Sequence, residues 1–118
     1  MRQVNFYRTE SGRCPVEDFL DSLNGKQAQK VAWVLQLVGE LDVLPRQYMK
    51  KLVNTEDIWE VRIQFAGDIF RLLGFFVHNE LIILTNGFAK KTQKTPPQEI
   101  ALAEQRKREF LARRQSYE

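Results

Sequence analysis

Between residues 57 and 88 the chain runs through three successive strand-like segments broken only by two short turns, and the first of them alternates apolar and polar residues. In DIWEVRIQF (57–65), Trp59, Val61, Ile63 and Phe65 are apolar against Glu60, Arg62 and Gln64. That period of two marks a half-buried strand. Ala66-Gly67 turns the chain into a second segment, 68–77, and His78-Asn79 turns it again into a third, 80–88. Three strands joined this closely form a β-meander. A loop centred on Ala66-Gly67 sets Arg62 opposite Arg71, and a loop centred on His78-Asn79 sets Arg71 opposite Asn86. Opposed residues share a sheet face, so Arg62, Arg71 and Asn86 are expected to form one row. Ala-Gly fits the favoured two-residue turns poorly. A four-residue loop with the same centre keeps the register, whereas a three-residue loop shifts it by one.

Two like charges about 4 Å apart repel by roughly 1 kcal/mol in water and about 4 kcal/mol near a protein surface. A fold that keeps such a pair is suited to an anion, since the planar guanidinium fork matches phosphate and Asn86 adds a neutral donor. The alternative is two solvated arginines paired with Glu60 and Asp68.

The 118 residues suffice for a single domain, 1–118, with a substantial core. The net charge of +3 is mild, but it is unevenly placed. Residues 1–45 carry five Lys/Arg against six Asp/Glu, residues 46–94 eight against five, and residues 95–118 five against four. The positive excess therefore travels with the meander and the loop leaving it, as a polyanion partner would require. Cys14 is the single cysteine, which excludes an internal disulfide and a cysteine metal cluster. No apolar run approaches the roughly 20 residues of a membrane span, and the N-terminus lacks the apolar centre of a signal peptide. A cytoplasmic protein without membrane contact, metal or other cofactor is expected.

Ahead of the meander, 4–7 is a short strand. Pro15 opens a short helix to Leu23, stopped by Asn24-Gly25. Residues 26–41 form a longer helix whose stripe is Ala28, Val31, Ala32, Leu35 and Val38. The two helices are expected as an αα-hairpin across one sheet face, and 48–53 as a short strand before the meander. After Phe88 comes the basic loop AKKTQKTPP (89–97). Thr95 suits an N-cap, with Pro96 at the first helical position and Gln98 completing a capping box, for a last helix over 96–114. Its apolar face is thin (Ile100, Ala103, Phe110, Leu111) and its remainder rich in arginine and lysine. The order β-α-α-β-β-β-β-α describes an α+β protein, one antiparallel sheet with helices packed against it.

This order, with Leu52, Trp59-Glu60-Val61-Arg62, Phe70-Arg71-Leu72 and the block from Leu84 through Gly87-Phe88 to Lys94-Thr95-Pro96, resembles the RelE/ParE toxin superfamily, in particular its phage-derived HigB-like branch. Pro15-Val16 before Phe19-Leu20 matches the first helix of that family. The resemblance spans nearly the whole chain. It implies a RelE-like fold and the toxin of a type II toxin–antitoxin pair, a ribosome-dependent endoribonuclease that cleaves translated mRNA and is silenced by a helix-turn-helix antitoxin. By family position, Arg71 contacts the scissile phosphate and Arg62 is a basic residue on the preceding strand. Lys90 or Lys91 supports the leaving group, while Lys50 and Lys51 hold RNA or ribosome. Two features depart from the family. Asn86 stands where some HigB proteins carry a histidine, and the tyrosine some RelE members use near the last helix has no clear counterpart, Tyr117 being at the very end.

Metal-free RNA cleavage requires the 2′-hydroxyl to attack its own phosphate in line. It needs stabilisation of a dianionic pentavalent phosphate and proton transfer at two oxygens. Arg71 and Arg62 suit the first task. A lysine whose pKa neighbouring cations depress (Lys50, Lys51, Lys90, Lys91 or Lys94) or Glu60 suits the second, Glu60 fitting better as the carboxylate that orients Arg62. His78, the only histidine, falls at a hairpin tip roughly 20 Å along the strand from the arginines and reads as a turn residue. Trp59 reads as core rather than as a base-stacking platform. Two other functions fit the same scaffold: a ParE-like gyrase inhibitor without nuclease activity, and a phage-derived protein that binds RNA or ribosomes without cutting. The arginine row and lysine loop favour RNA chemistry.

Overall fold

A computed structural model of the chain describes residues 1–92 and 94–116, so Gln93 of the basic loop and Tyr117 lie outside the described residues. The elements follow the expected order: β1 (Gln3–Phe6), α1 (Pro15–Asp21), α2 (Gly25–Glu40), β2 (Met49–Lys51), β3 (Trp59–Phe65), β4 (Asp68–His78), β5 (Leu81–Ala89) and α3 (Pro97–Ser116). They form one five-stranded sheet in the order β1-β5-β4-β3-β2. The four strands from β2 to β5 are antiparallel. β1 joins β5 in parallel, so the sheet is mixed and not purely antiparallel. Alternation reveals which face a side chain takes but carries no information about strand direction.

The αα-hairpin carries the chain from β1 at one sheet edge to β2 at the other. Asn24 caps α2 with a reciprocal capping box, its carboxamide accepting from the Gln27 amide while the Gln27 side chain accepts from the Asn24 amide. On α2 the fully buried residues are Val31, Val34 and Val38, while Ala32 is exposed. The stripe thus turns toward the larger side chain, which removes more apolar area from water. These valines and Val16 of α1 pack on Val61, Ile63, Phe70, Leu72, Ile82 and Leu84. Close contact at Gly87 lets α1 approach β5, where an added Cβ would stand 2.5 Å from both the Phe19 ring and Leu72.

The second face carries α3. Ala103, Ile58 and Leu73 form one cluster there, and Tyr7, Phe75 and Ile83 another against Phe110. The helix begins at Pro97, and the Pro96 carbonyl accepts from the Glu99 and Ile100 amides. The Thr95 hydroxyl does not cap it; it donates to the Glu60 carboxylate. The expected capping box is therefore replaced by a tertiary bond, because a strong buried acceptor lies within reach.

The β3–β4 turn keeps the expected register. Ala66 and Gly67 both adopt positive φ, 50° and 87°, the backbone of the favoured tight hairpin turn. A non-glycine residue in the left-handed region costs roughly 1–2 kcal/mol, which asparagine partly avoids. Ala66→Asn is expected to stabilise the protein by about 0.5–1 kcal/mol, read as a raised urea midpoint with an unchanged slope. The β4–β5 hairpin turns one residue later than expected, through Asn79-Glu80, and two irregularities shift its register by one and back again before Leu73. Arg71 consequently pairs with Phe88 and not Asn86, whose partner is Leu73.

Candidate anion-binding site

The β3–β4 ladder sets Arg62 directly opposite Arg71, and the chain leaving β5 brings Lys90 and Lys91 alongside. Together with Ile69 and Thr92 these four cations line an open cleft of ≈ 220 Å³. Behind the cations sits Glu60, 2% exposed. Its Oε1 lies 3.3 Å from Arg71 Nε and 3.5 Å from Arg62 Nε, and its Oε2 accepts from Thr95. One carboxylate thus orients two guanidiniums and anchors the end of the basic loop. The solvated-arginine alternative holds in part, since both arginines pair with Glu60. Asp68 instead accepts from Gln27 across the sheet.

Arg71 is itself buried, at 8% exposure. One terminal nitrogen donates to the Phe70 carbonyl at 3.0 Å. Its buried Nε is close enough to Glu60 for an ion pair but lacks the alignment of a hydrogen bond, and among the described residues it has no other acceptor. Burial pushes the Arg71 guanidinium below its usual pKa, against the opposing pull of Glu60. Arg62 reaches outward to the Arg46 carbonyl at 3.4 Å. The pair therefore has one dry member and one wetter one.

Lys90 has its amide fixed to the Ile69 carbonyl at 2.8 Å. Partial burial depresses its pKa, as do Arg71, Arg62 and Lys50, while Glu60 opposes the shift. The sign follows from linkage. A lysine depressed by folding favours the native state more as pH rises toward the range of free lysine, whereas a bound anion restores the proton. Anion affinity is therefore expected to fall as pH rises through the depressed Lys90 pKa, beginning below the range of an ordinary lysine. Lys90→Met should flatten that part of a phosphate-affinity profile between pH 7 and 10.

The remaining expected site residues divide. Lys50 sits across from Glu60 and contributes to the positive field at Lys90. Lys51 faces the opposite side of the sheet, paired with Asp57 at 2.8 Å and lining a different cleft with Trp59 and Phe76. Two neighbours on an edge strand must point to opposite faces, so one of that pair leaves the cluster. Asn86 is buried; its amide nitrogen donates to the Glu99 carbonyl and carboxylate, and its oxygen accepts from Thr85. It fastens α3 to β5 and is not presented to the cleft. Lys94 is exposed, its carbonyl accepting from the Thr92 hydroxyl. Thr95 was legible only as a helix cap. His78 is exposed at the end of β4, accepting from the Glu80 amide, and Trp59 is half-buried, packed edge-on against Phe76. Cys14 is buried ahead of α1.

Among the described residues, no group of three or more histidine, cysteine, aspartate or glutamate side chains is placed to hold a metal ion. Nor is any helix there long and apolar enough to cross a membrane. The fold and site define a small α+β protein with four cations gathered at one end of its sheet. Residues 18–108 match the family of phage-derived Gp49-like proteins, and the chain belongs to that family. No curated protein matches it.

Proposed function

We propose that the protein is the toxin of a toxin–antitoxin pair, an endoribonuclease that cleaves mRNA in translating ribosomes in the cytoplasm and is held inactive by a helix-turn-helix antitoxin. The observation that carries this reading is the convergence of Arg62, Arg71 and Lys90 on one cleft, with Glu60 buried behind them. The phage-derived family is compatible with it. Arg71 and Arg62 neutralise charge on the scissile phosphate as the 2′-oxygen bonds to phosphorus and the bond to the 5′-oxygen breaks. The 2′-hydroxyl loses a proton and the departing 5′-oxygen gains one, leaving a cyclic 2′,3′-phosphate and a 5′-hydroxyl. Lys90, whose pKa partial burial and the neighbouring cations lower, is the candidate for the proton exchange. Glu60 has both oxygens engaged, so it orients the arginines and leaves proton transfer to the lysine.

The test is transcriptome-wide mapping of RNA 5′-ends after a brief pulse of expression, beside an Arg71→Ala variant. New 5′-hydroxyl ends inside translated codons, absent in the variant, are expected. Growth arrest without new ends would overturn the nuclease reading, and gyrase poisoning or ribosome binding without cleavage would replace it.

A further inference from the structure

We infer that Thr95 is a positioning residue for this site, and that its hydroxyl sets the aim of the arginine pair through Glu60. The inference rests on the reading of the cleft as a phosphate site, but nothing in that reading assigns Thr95. Three observations carry it. First, Glu60 divides its two oxygens: Oε1 faces Arg62 and Arg71, while Oε2 accepts from Thr95. A carboxylate on a buried glutamate can turn about its last bond, with a broad torsional preference. A donor on one oxygen fixes that rotation and leaves the other oxygen to the guanidiniums. Second, Thr95 is half-buried at the point where the basic loop ends and α3 begins. The same bond therefore holds the loop against the arginines. Third, the other end of the loop is tied by the Lys90 amide to the Ile69 carbonyl, and the Thr92 hydroxyl closes its middle on the Lys94 carbonyl. Lys90 is thereby held between two anchors, one on β4 and one on the carboxylate that aims the arginines.

Without the hydroxyl, Oε2 loses its donor and Glu60 is free to rotate toward a two-oxygen grip on Arg71 or Arg62. That grip is the geometry arginine prefers with a carboxylate. It would neutralise and turn the guanidinium that the phosphate needs, and the loop end would relax with it. The fold has little reason to fail, because valine matches threonine in shape and Pro96-Pro97 still opens the helix. Ground-state RNA affinity, spread over several cations, should change little. The transition state, which tolerates only small misplacement, should suffer.

The experiment measures single-turnover cleavage of mRNA on programmed ribosomes, and separately the affinity of the toxin for those ribosomes, for wild type, Thr95→Val, Thr95→Ser and Arg71→Ala. Thr95→Val is expected to cleave about 10- to 100-fold more slowly with affinity within about threefold, while Thr95→Ser, which keeps the donor, stays within about threefold in both. A Thr95→Val rate equal to wild type, with Arg71→Ala inactive, would overturn the role of Thr95 and leave the proposed function standing. Equal losses in Thr95→Val and Thr95→Ser, tracking a lowered melting temperature, would reduce Thr95 to a structural residue and overturn the inference. An Arg71→Ala variant as active as wild type would overturn the proposed function itself.

Discussion

Arg71→Ala will lower single-turnover cleavage by at least about 100-fold, the loss expected when one preorganised donor to a developing anion is removed, and will abolish growth arrest. The protein should remain folded. The effect is large because Arg71 combines two properties that Arg62 lacks together: its guanidinium is dry, at 8% residue exposure, and it is held on one side by the Phe70 carbonyl. A charge fixed in a dry setting acts on a phosphate without first reorganising water. Its buried Nε faces Glu60 at 3.3 Å, which orients the guanidinium from behind. Arg62, two-thirds buried and tied among the described residues to a backbone carbonyl at 3.4 Å and to Glu60, is expected to cost less when removed. Circular dichroism and the urea midpoint check the fold, and the cleavage rate on ribosomes checks the chemistry. A variant that still cleaves within about threefold of wild type would take Arg71 out of the reaction.

That Arg71 faces Arg62 was legible because only the turn at Ala66-Gly67 intervenes and the alternation ahead of it is unbroken. Asn86 was not placed correctly because the β4–β5 turn is centred one residue later than His78-Asn79, which moves every pairing by two, while the two register irregularities along the ladder cancel each other. The division of Lys50 from Lys51 follows from the strand period and could have been read. The burial of Glu60 could not. Its place on the polar side of β3 suggested solvent, but α3 and the basic loop, distant in sequence, close over that side. Thr95 illustrates the same limit, since its local context advertises a helix cap while its partner lies 35 residues away. What the chain conceals is therefore the set of contacts made across long separations on the second sheet face.

Glu60→Gln follows from that hidden burial, and its two consequences should move in opposite directions. In the native protein Glu60 is the only carboxylate within 4.0 Å of either Arg62 or Arg71 among the described residues. Removing its charge while keeping its shape leaves Arg71 buried without a counter-ion. Breaking a buried pair in this way costs about 3–5 kcal/mol, and the lower end applies here because Arg62 retains water and the cleft is open. A loss of about 3 kcal/mol in unfolding free energy is expected, a large part of the stability of a single small domain. Yet the same change frees positive charge in the cleft, so inorganic phosphate should bind the variant more tightly than wild type. Because a ligand that binds only the native state stabilises it by mass action, added phosphate should raise the melting temperature of Glu60→Gln more than that of wild type. Cleavage should nevertheless fall, since the guanidiniums would no longer be aimed from behind. Tighter anion binding joined to slower chemistry is the signature of a carboxylate that orients a site at the expense of affinity. A variant that loses less than about 1 kcal/mol and gains no extra stabilisation from phosphate would show instead that Arg71 is solvated well enough to stand alone, and Glu60 would then have no claim to hold the site.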